Sequence, residues 1–498
     1  MWCLNEDILF MIFEELNKNN RKSLHSCLLV NRTWCITVIP ILWKNPGQSH
    51  ITEYLKNKLF DVIFLHLSEE SKNTLKIQGI NNHLINKYQF PSFNYINFWK
   101  YLDLGFLEEV ISSNEIENSI VPIVKNEILR LFINRNIKFI HLGITSGFNY
   151  QLHVIPGAEY CFSELETFYC HAEIDQSILE GLARICKSIK KFTLDVYHYT
   201  DGSGIIKLIE EQKKLNNVSF IKHPYSRNNK FIDDNNKSIK LYTTINRESF
   251  HKSLEESLID HADTVQYLEM CWLPVTRILS RLVNLISLDI RPYFTYTKYE
   301  SENVALPLIS PLKILKVYKV PRNFLTNIIG NTTGNLTEIW LHYDGIDSKI
   351  LFQAISHNCP NLRYLQLSLI NNINSFIPEL EGLLNNCQLL NELIIYVENI
   401  IFDKFQWDKL FIILAKSSPI NLFKFKFYTF WMCGLNDIKL FLDNWENENS
   451  ISLEICYSYN FEERLEDLLK DYKANGVIKK YCYSLSNLNI MTNPFTYE

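Results

Sequence analysis

A chain of 498 residues is longer than one compact core usually supports, so several domains or one elongated repeat array are the expected forms. Its apolar fraction of 47% and charged fraction of 21% fit a folded chain, and 15 glycines and 15 prolines are too few for a turn-rich β-sandwich or long flexible linkers. The net charge of -5, with no dense basic run, argues against a nucleic-acid partner; no apolar run approaches the ~18 residues of a membrane span, and Glu6 and Asp7 stand where a secretion signal needs positive charge.

The first 45 residues differ from the rest. Ile8, Leu9, Ile12, Phe13 and Leu16 recur at helical spacing, with Asn5 placed to cap the helix and Glu6 and Asp7 in its positive first turn. The polar stretch Asn17 to Lys22 ends that helix. Leu24, Cys27 and Leu28 mark a second, and Trp34 and Val38 a third that Pro40 is expected to stop. Ile41, Leu42 and Trp43 add an apolar cluster. Three helices this short bury little surface, so either a partner protein covers the remainder or they pack as a cap on the domain behind them.

The order Leu4-Asn5-Glu6-Asp7-Ile8-Leu9, Ile12-Phe13-Glu14-Glu15-Leu16, Val30-Asn31-Arg32-Thr33-Trp34 and Pro40-Ile41-Leu42-Trp43 resembles an F-box, and residues 25–32 resemble the large expanded F-box families of fungi. The resemblance implies binding to a Skp-type adaptor, and through it to a cullin, by Leu4, Asn5, Ile8, Leu9, Ile12, Val30, Trp34, Leu42 and Trp43. Asn5 departs from the proline usual in the family. Asparagine can cap the helix but does not lock φ, which bears on adaptor affinity.

From 46 to 130 the chain reads as a helical connecting segment and N-terminal cap. Asp61 to Leu67 carries a helical apolar pattern, and the aromatics between Tyr88 and Leu107 are expected to seal the open end of the next domain. From 131 to 498 a unit of three apolar residues at i, i+3 and i+5 recurs. Clear copies start at Ile137, Leu165, Ile189, Val265, Leu285, Leu312, Leu336, Leu362, Leu390 and Leu422, and weak ones at Leu215, Asn236 and Ser450. Those thirteen starts lie between residues 137 and 450, twelve steps averaging about 26 residues, inside the 20–29 window of leucine-rich repeats. The last two apolar positions share one side of a strand, and stretches such as Ile178-Leu179-Leu182-Ile185 read as the helices between. Cys186, Cys359 and Cys387 each stand three residues before a start, which resembles the cysteine-containing class of leucine-rich repeats that often accompanies an F-box. The expected fold class is α/β: a three-helix F-box-like module, then a curved leucine-rich-repeat solenoid with parallel strands on the concave face, helices on the convex face and a C-terminal cap.

Residues between and after the apolar positions alternate outward. This puts Tyr318, Trp340, His342, Tyr364, Tyr396 and Tyr428 on one side, among Lys316, Glu338, Gln366, Glu392, Lys424 and Lys426, and makes that side the expected target-binding face.

No P-loop, G-x-S-x-G or H-E-x-x-H string occurs. Gly202-Ser203-Gly204 lacks the flanks of a phosphate cradle, Asp233-Asp234 reads as a solvated turn, and His141 as a satisfied surface histidine. The 12 cysteines, from Cys3 to Cys482, form no C-x-x-C pair, so buried free thiols in the cytoplasm or nucleus are expected, with no metal and no cofactor. The resemblance thus implies a substrate receptor of a Skp/cullin/F-box ubiquitin ligase, with no catalytic residue, that holds an unidentified protein substrate on its repeats. The alternative is a repeat scaffold whose F-box does not assemble into a ligase.

Overall fold

The computed structural model describes residues 5–48, 51–79, 91–114, 116–196, 202–222, 237–292, 311–342, 348–370, 376–398, 405–431, 433–459 and 464–485. Leu4 and Asp233-Asp234 lie outside them. The chain divides into two compact units, Met1–His261 and Ala262–Glu498. Both are α/β, built from parallel strands hydrogen-bonded in sequence order in an open sheet, with helices between successive strands. This repeats the element order expected from the periodicity.

The first unit opens with α1 (Glu6–Asn19), α2 (Arg21–Cys27) and α3 (Arg32–Trp43). Asn5 caps α1, its Oδ1 accepting from the Asp7 N–H at 3.3 Å. Asn20 closes α1 by donating its N–H to the Leu16 carbonyl, and opens α2 by accepting from the Ser23 N–H, so a polar linker of one residue turns the chain. Leu9, Phe13, Leu24, Cys27, Val38, Ile41 and Leu42 form the interior. The expected stop at Pro40 is corrected: α3 runs through it to Trp43. Proline there has no N–H to give to the carbonyl of Ile36, and Ile36 lies on the exposed side, where water can take that carbonyl.

Five strands are described in the remainder of this unit: β1 (Tyr101–Asp103), β2 (His141–Ile144), β3 (Thr167–His171), β4 (Lys191–Asp195) and β5 (Asn217–Ile221). β1 falls inside the segment read as connecting. Trp99, Leu102 and Leu104 stand at i, i+3 and i+5, each almost fully buried, with the Trp99 ring packed at 4.6 Å on Phe132. Trp99 is therefore the core of the first repeat, a role different from the end seal expected for the aromatics of this stretch. The weak copy at Asn236 is also corrected, since Lys237–Ser257 is a helix.

A shared hydrogen-bond pattern links the three helices to the strands. One carbonyl ahead of each strand accepts two successive N–H groups from the next unit: Lys100 from Ile140 and His141, Ile140 from Glu166 and Thr167, Glu166 from Lys190 and Lys191. Lys44, at the end of α3, does the same for Lys100 and Tyr101. An orphan carbonyl of a helix C-terminus thereby serves as the first rung of the ladder. Trp43 on Tyr95 at 4.4 Å adds an aromatic contact at the same joint.

The described part of the second unit has nine strands: β6 (Tyr267–Met270), β7 (Ser287–Ile290), β8 (Ile314–Tyr318), β9 (Glu338–His342), β10 (Tyr364–Ile370), β11 (Glu392–Glu398), β12 (Lys424–Trp431), β13 (Ile451–Tyr459) and β14 (Ile478–Leu485). The start residues Val265, Leu285, Leu312, Leu336, Leu362, Leu390 and Leu422 are wholly buried. An asparagine just before a start is a second recurring device along this unit. Asn284, Asn361, Asn421 and Asn449 each donate a side-chain N–H to the carbonyl two residues before the preceding start, those of Asp263, Gly334, Gln388 and Ile420, at 2.7 to 3.0 Å. Cys186, Cys359 and Cys387 are fully buried. Burial pushes the thiols of Cys186 and Cys387 up to about 12, so they are inert core groups.

Candidate functional site

The three-helix module has few apolar side chains to spare, yet it leaves many outside. Ile8, Met11 and Ile12 lie together on α1 at spacings of three and four residues, and Leu29 and Val30 project from the turn after α2. Leu29 is 90% and Met11 71% exposed. Ile8, Ile12 and Val30, expected to touch an adaptor, are exposed, and so are Leu29 and Met11. The helical stripe drew attention to the residues facing inward, whereas these two fall on its far side. Two expected contact residues are corrected: Leu9 and Leu42 are interior and hold the module together. Trp34 is half-buried, edge-on to Phe13 at 5.1 Å, and Trp43 is engaged by Tyr95. Asn5 sits at φ -58°, a value proline also adopts, and its side chain caps the helix.

In the second unit the strand register aligns the outward residues into rows. One row runs Tyr318, His342, Ser368, Tyr396, Tyr428; its neighbour runs Lys316, Trp340, Gln366, Ile394, Lys426. All six expected target-binding residues therefore face the same side. They are stacked in pairs: Tyr318 on His342 at 4.6 Å, Trp340 on Tyr364 at 4.6 Å, and Tyr396 on Tyr428 at 4.5 Å. The Lys316 ammonium lies over the Trp340 ring at 4.4 Å. Tyr318, Trp340, Tyr364 and Tyr428 are partly exposed. His342 and Tyr396 are not, and this corrects their reading as surface residues. Rings on adjacent strands, ~4.8 Å apart, cover one another. Ser368 Oγ lies 3.1 Å from His342 Nδ1, and burial, helped by the charge of Lys319, holds the imidazole down at about 4.

Gln366 lies among these rings. It is 1% exposed, and its Nε2 has no hydrogen-bond partner. A buried donor left unmade costs ~1–3 kcal/mol, so the fold holds this amide at a loss. Further along, Lys424 and Lys426 reach Glu392 at 3.7 and 3.2 Å, and Lys426 reaches Glu454 at 3.9 Å. These residues, with Ser452 and Lys480, border a depression of about 320 Å³.

The outward face of the first unit carries a different set. Tyr169 Oη lies 3.2 Å from His171 Nε2 and donates to Asp195 Oδ2 at 3.4 Å. Burial, reinforced by Asp195, raises the phenol far above its ordinary 10, so Tyr169 serves as a donor and not as an acid. His141 is stacked on Tyr101 at 5.5 Å and half-buried. Sequence reading passed over Tyr169 and Asp195, although both occupy outward strand positions that the repeat register identifies. Among the described residues no group of three or more His, Cys, Asp or Glu is placed to hold a metal ion, and no helix is long and apolar enough to cross a membrane.

No protein-family model matches the chain, and no curated protein matches it.

Proposed function

We propose that this chain is the substrate-receptor subunit of a Skp/cullin/F-box ubiquitin ligase. Residues 5–43 dock a Skp-type adaptor, and leucine-rich repeats in the second unit hold a target protein on their outward strand face. The observation that carries the reading is the apolar surface of a module whose interior is already complete: Ile8, Met11, Ile12, Leu29 and Val30 stay exposed outside it. Apolar side chains in that number on so small a body are the mark of a protein-docking surface. The order of residues that resembles an F-box lies on the same helices, and the φ of Asn5 suits the position where that family has proline. The chain's task is then to position a target, and transfer chemistry falls to the other subunits. The Lys44 carbonyl, as first rung of the strand ladder, couples the adaptor-bound module to the repeats beyond it.

The test is copurification of the full chain with a Skp-type adaptor and, in parallel, of the chain lacking residues 1–45. The proposal expects a stoichiometric complex with the first and none with the second. Binding that survives the deletion would place the adaptor elsewhere, and no binding by either would leave a repeat scaffold that assembles no ligase.

A further inference from the structure

The depression across β11 to β14 is bordered by three ammonium groups and two carboxylates, Lys424, Lys426 and Lys480 against Glu392 and Glu454. Lys424 and Lys426 share Glu392 at 3.7 and 3.2 Å, and Lys426 also reaches Glu454 at 3.9 Å. Lys480 is exposed, and among the described residues its ammonium makes no ion pair. The ring thus carries one positive charge in excess. The strand pairing is arranged so that Lys480 belongs to it. Ile451 stands opposite Ile478 and Ser452 opposite Lys480, so Lys479 is an extra residue in β14. Without that bulge Lys480 would fall opposite Leu453, whose side chain is buried. The bulge turns it to the outward face instead.

We infer that this depression binds the carboxylate of an Asp or Glu side chain in a target polypeptide, with Lys480 as its principal partner and Lys424 and Lys426 beside it. This rests on the reading of the outward strand face as the target-docking surface and names what one part of that surface recognises. The charge balance fixes the class of ligand. One surplus ammonium is matched by one carboxylate. A phosphate carries about -1.5 to -2 at neutral pH and would set its second charge against Glu392 and Glu454. Nucleic acid draws on a run of free cations, and here two of the three already share carboxylates. The volume of about 320 Å³ stands at the small end of ligand clefts, so it admits a side chain and not a bulky cofactor. Tyr428, two residues beyond Lys426 on β12, is partly exposed and offers a ring to the residues next to that carboxylate.

The test uses a displayed library of random twelve-residue peptides selected on the full chain. The tightest peptides are then titrated against the wild type, Lys480→Gln, Lys480→Glu and Trp340→Ala. Lys480 is exposed, so its two variants should keep the wild-type melting temperature. The inference expects one required Asp or Glu in the peptide. Replacing it by Asn or Gln should weaken binding at least tenfold in the wild type and less than threefold in Lys480→Gln, where its main partner is already gone. Lys480→Glu should prefer the same peptide with lysine in place of the acid, a reversal that no loss of structure can produce. Peptides indifferent to Lys480→Gln, or to the loss of their acidic residues, would overturn the carboxylate site. If they still lose binding in Trp340→Ala, the docking face stands without it; if they do not, or if no peptide is selected, the face is overturned as well. Tighter binding when phosphoserine replaces the acid would overturn the choice of a carboxylate over a phosphate.

Discussion

The helix α1, of 14 residues, and the repeat helix Gln176–Ile185, of 10, are opposite in economy. The repeat helix turns Ile178, Leu179, Leu182 and Ala183 inward and leaves no large apolar residue outside. By contrast α1 buries Leu9 and Phe13 and exposes Ile8, Phe10, Met11 and Ile12. A repeat helix has neighbours before and after it in the same chain, so most of its apolar residues find cover there, with single exceptions such as Ile350 and Ile412. Among the described residues, the three-helix module leaves Ile8, Met11, Ile12, Leu29 and Val30 uncovered. The proposed function assigns that surface to an adaptor, and substitutions on the two sides put the contrast to the test.

The largest effect is expected from an interior carboxylate on either side of the comparison. Leu9→Asp and Leu179→Asp each bury an unpaired charge in place of a packed side chain, at a cost of roughly 3–5 kcal/mol. Hydrogen exchange should localise the damage: residues 6–43 lose protection in Leu9→Asp, while Leu179→Asp loosens the strands and helices around β3 and β4. Equal exchange across the whole chain in both variants would mean that the module and the repeats unfold as one body.

Next in size is a pH effect confined to the second unit. The fold holds His342 neutral, against Tyr318, Tyr396, Ser368 and the nearby charge of Lys319, with its pKa at about 4, whereas the unfolded chain protonates it near 6.5. The unfolded state therefore binds more protons between these values. The stability is fully present above pH 6.5 and falls by ~2–3 kcal/mol as the pH drops toward 4. Urea midpoints of the wild type and His342→Phe, measured across that range, should diverge, the variant having the flatter profile. Parallel profiles would mean that His342 is not held neutral by the fold.

A smaller loss is expected from Trp340→Ala with Tyr364→Ala. The pair stack is worth ~0.5–1.5 kcal/mol beyond its buried area, so the second unit should stay folded while the proposed docking face loses two aromatic rings. Unfolding of the double variant would show that these rings are interior in the way His342 is. The smallest effect belongs to Asn5→Pro. The substitution keeps φ near -58° and loses the Asn5 side-chain cap, so the two contributions offset to within ~0.5 kcal/mol. A change in affinity for a Skp-type adaptor beyond tenfold would show that the side chain at position 5 does more than set the backbone.

Much of this architecture was legible because its physics is local and periodic. Apolar residues at i, i+3 and i+5 can share one interior only if the last two lie on a strand. Every clear start from Ile137 to Leu422 is buried, with its strand beginning two residues later, or four at Ile137. The misses have specific causes. Trp99 starts the first repeat but does not look like leucine. The stretch from Asn236 onward carries helical spacing that a weak match overrode. Pro40 reads as a stop because nothing in a sequence tells which carbonyl water can reach. Burial on the outward face was the hardest part. Alternation shows correctly that His342, Gln366 and Tyr396 point outward, but how far stacked neighbours cover them depends on rings from adjacent strands about 26 residues away in sequence. The same applies to the module, where the helical stripe separates Leu9 from Met11 but does not say that Leu42 closes the interior.

The measurement that bears most directly on the account is a calorimetric titration of a Skp-type adaptor into the full chain and into the Ile8→Glu, Ile12→Glu double variant. Both positions are exposed, so the variant should keep the wild-type melting curve. The account predicts a stoichiometry of one for the wild type and at least a hundredfold loss of affinity for the variant, since two charges would enter a desolvated apolar contact. Equal affinity for both proteins, or an adaptor that does not bind the folded wild type, would contradict it.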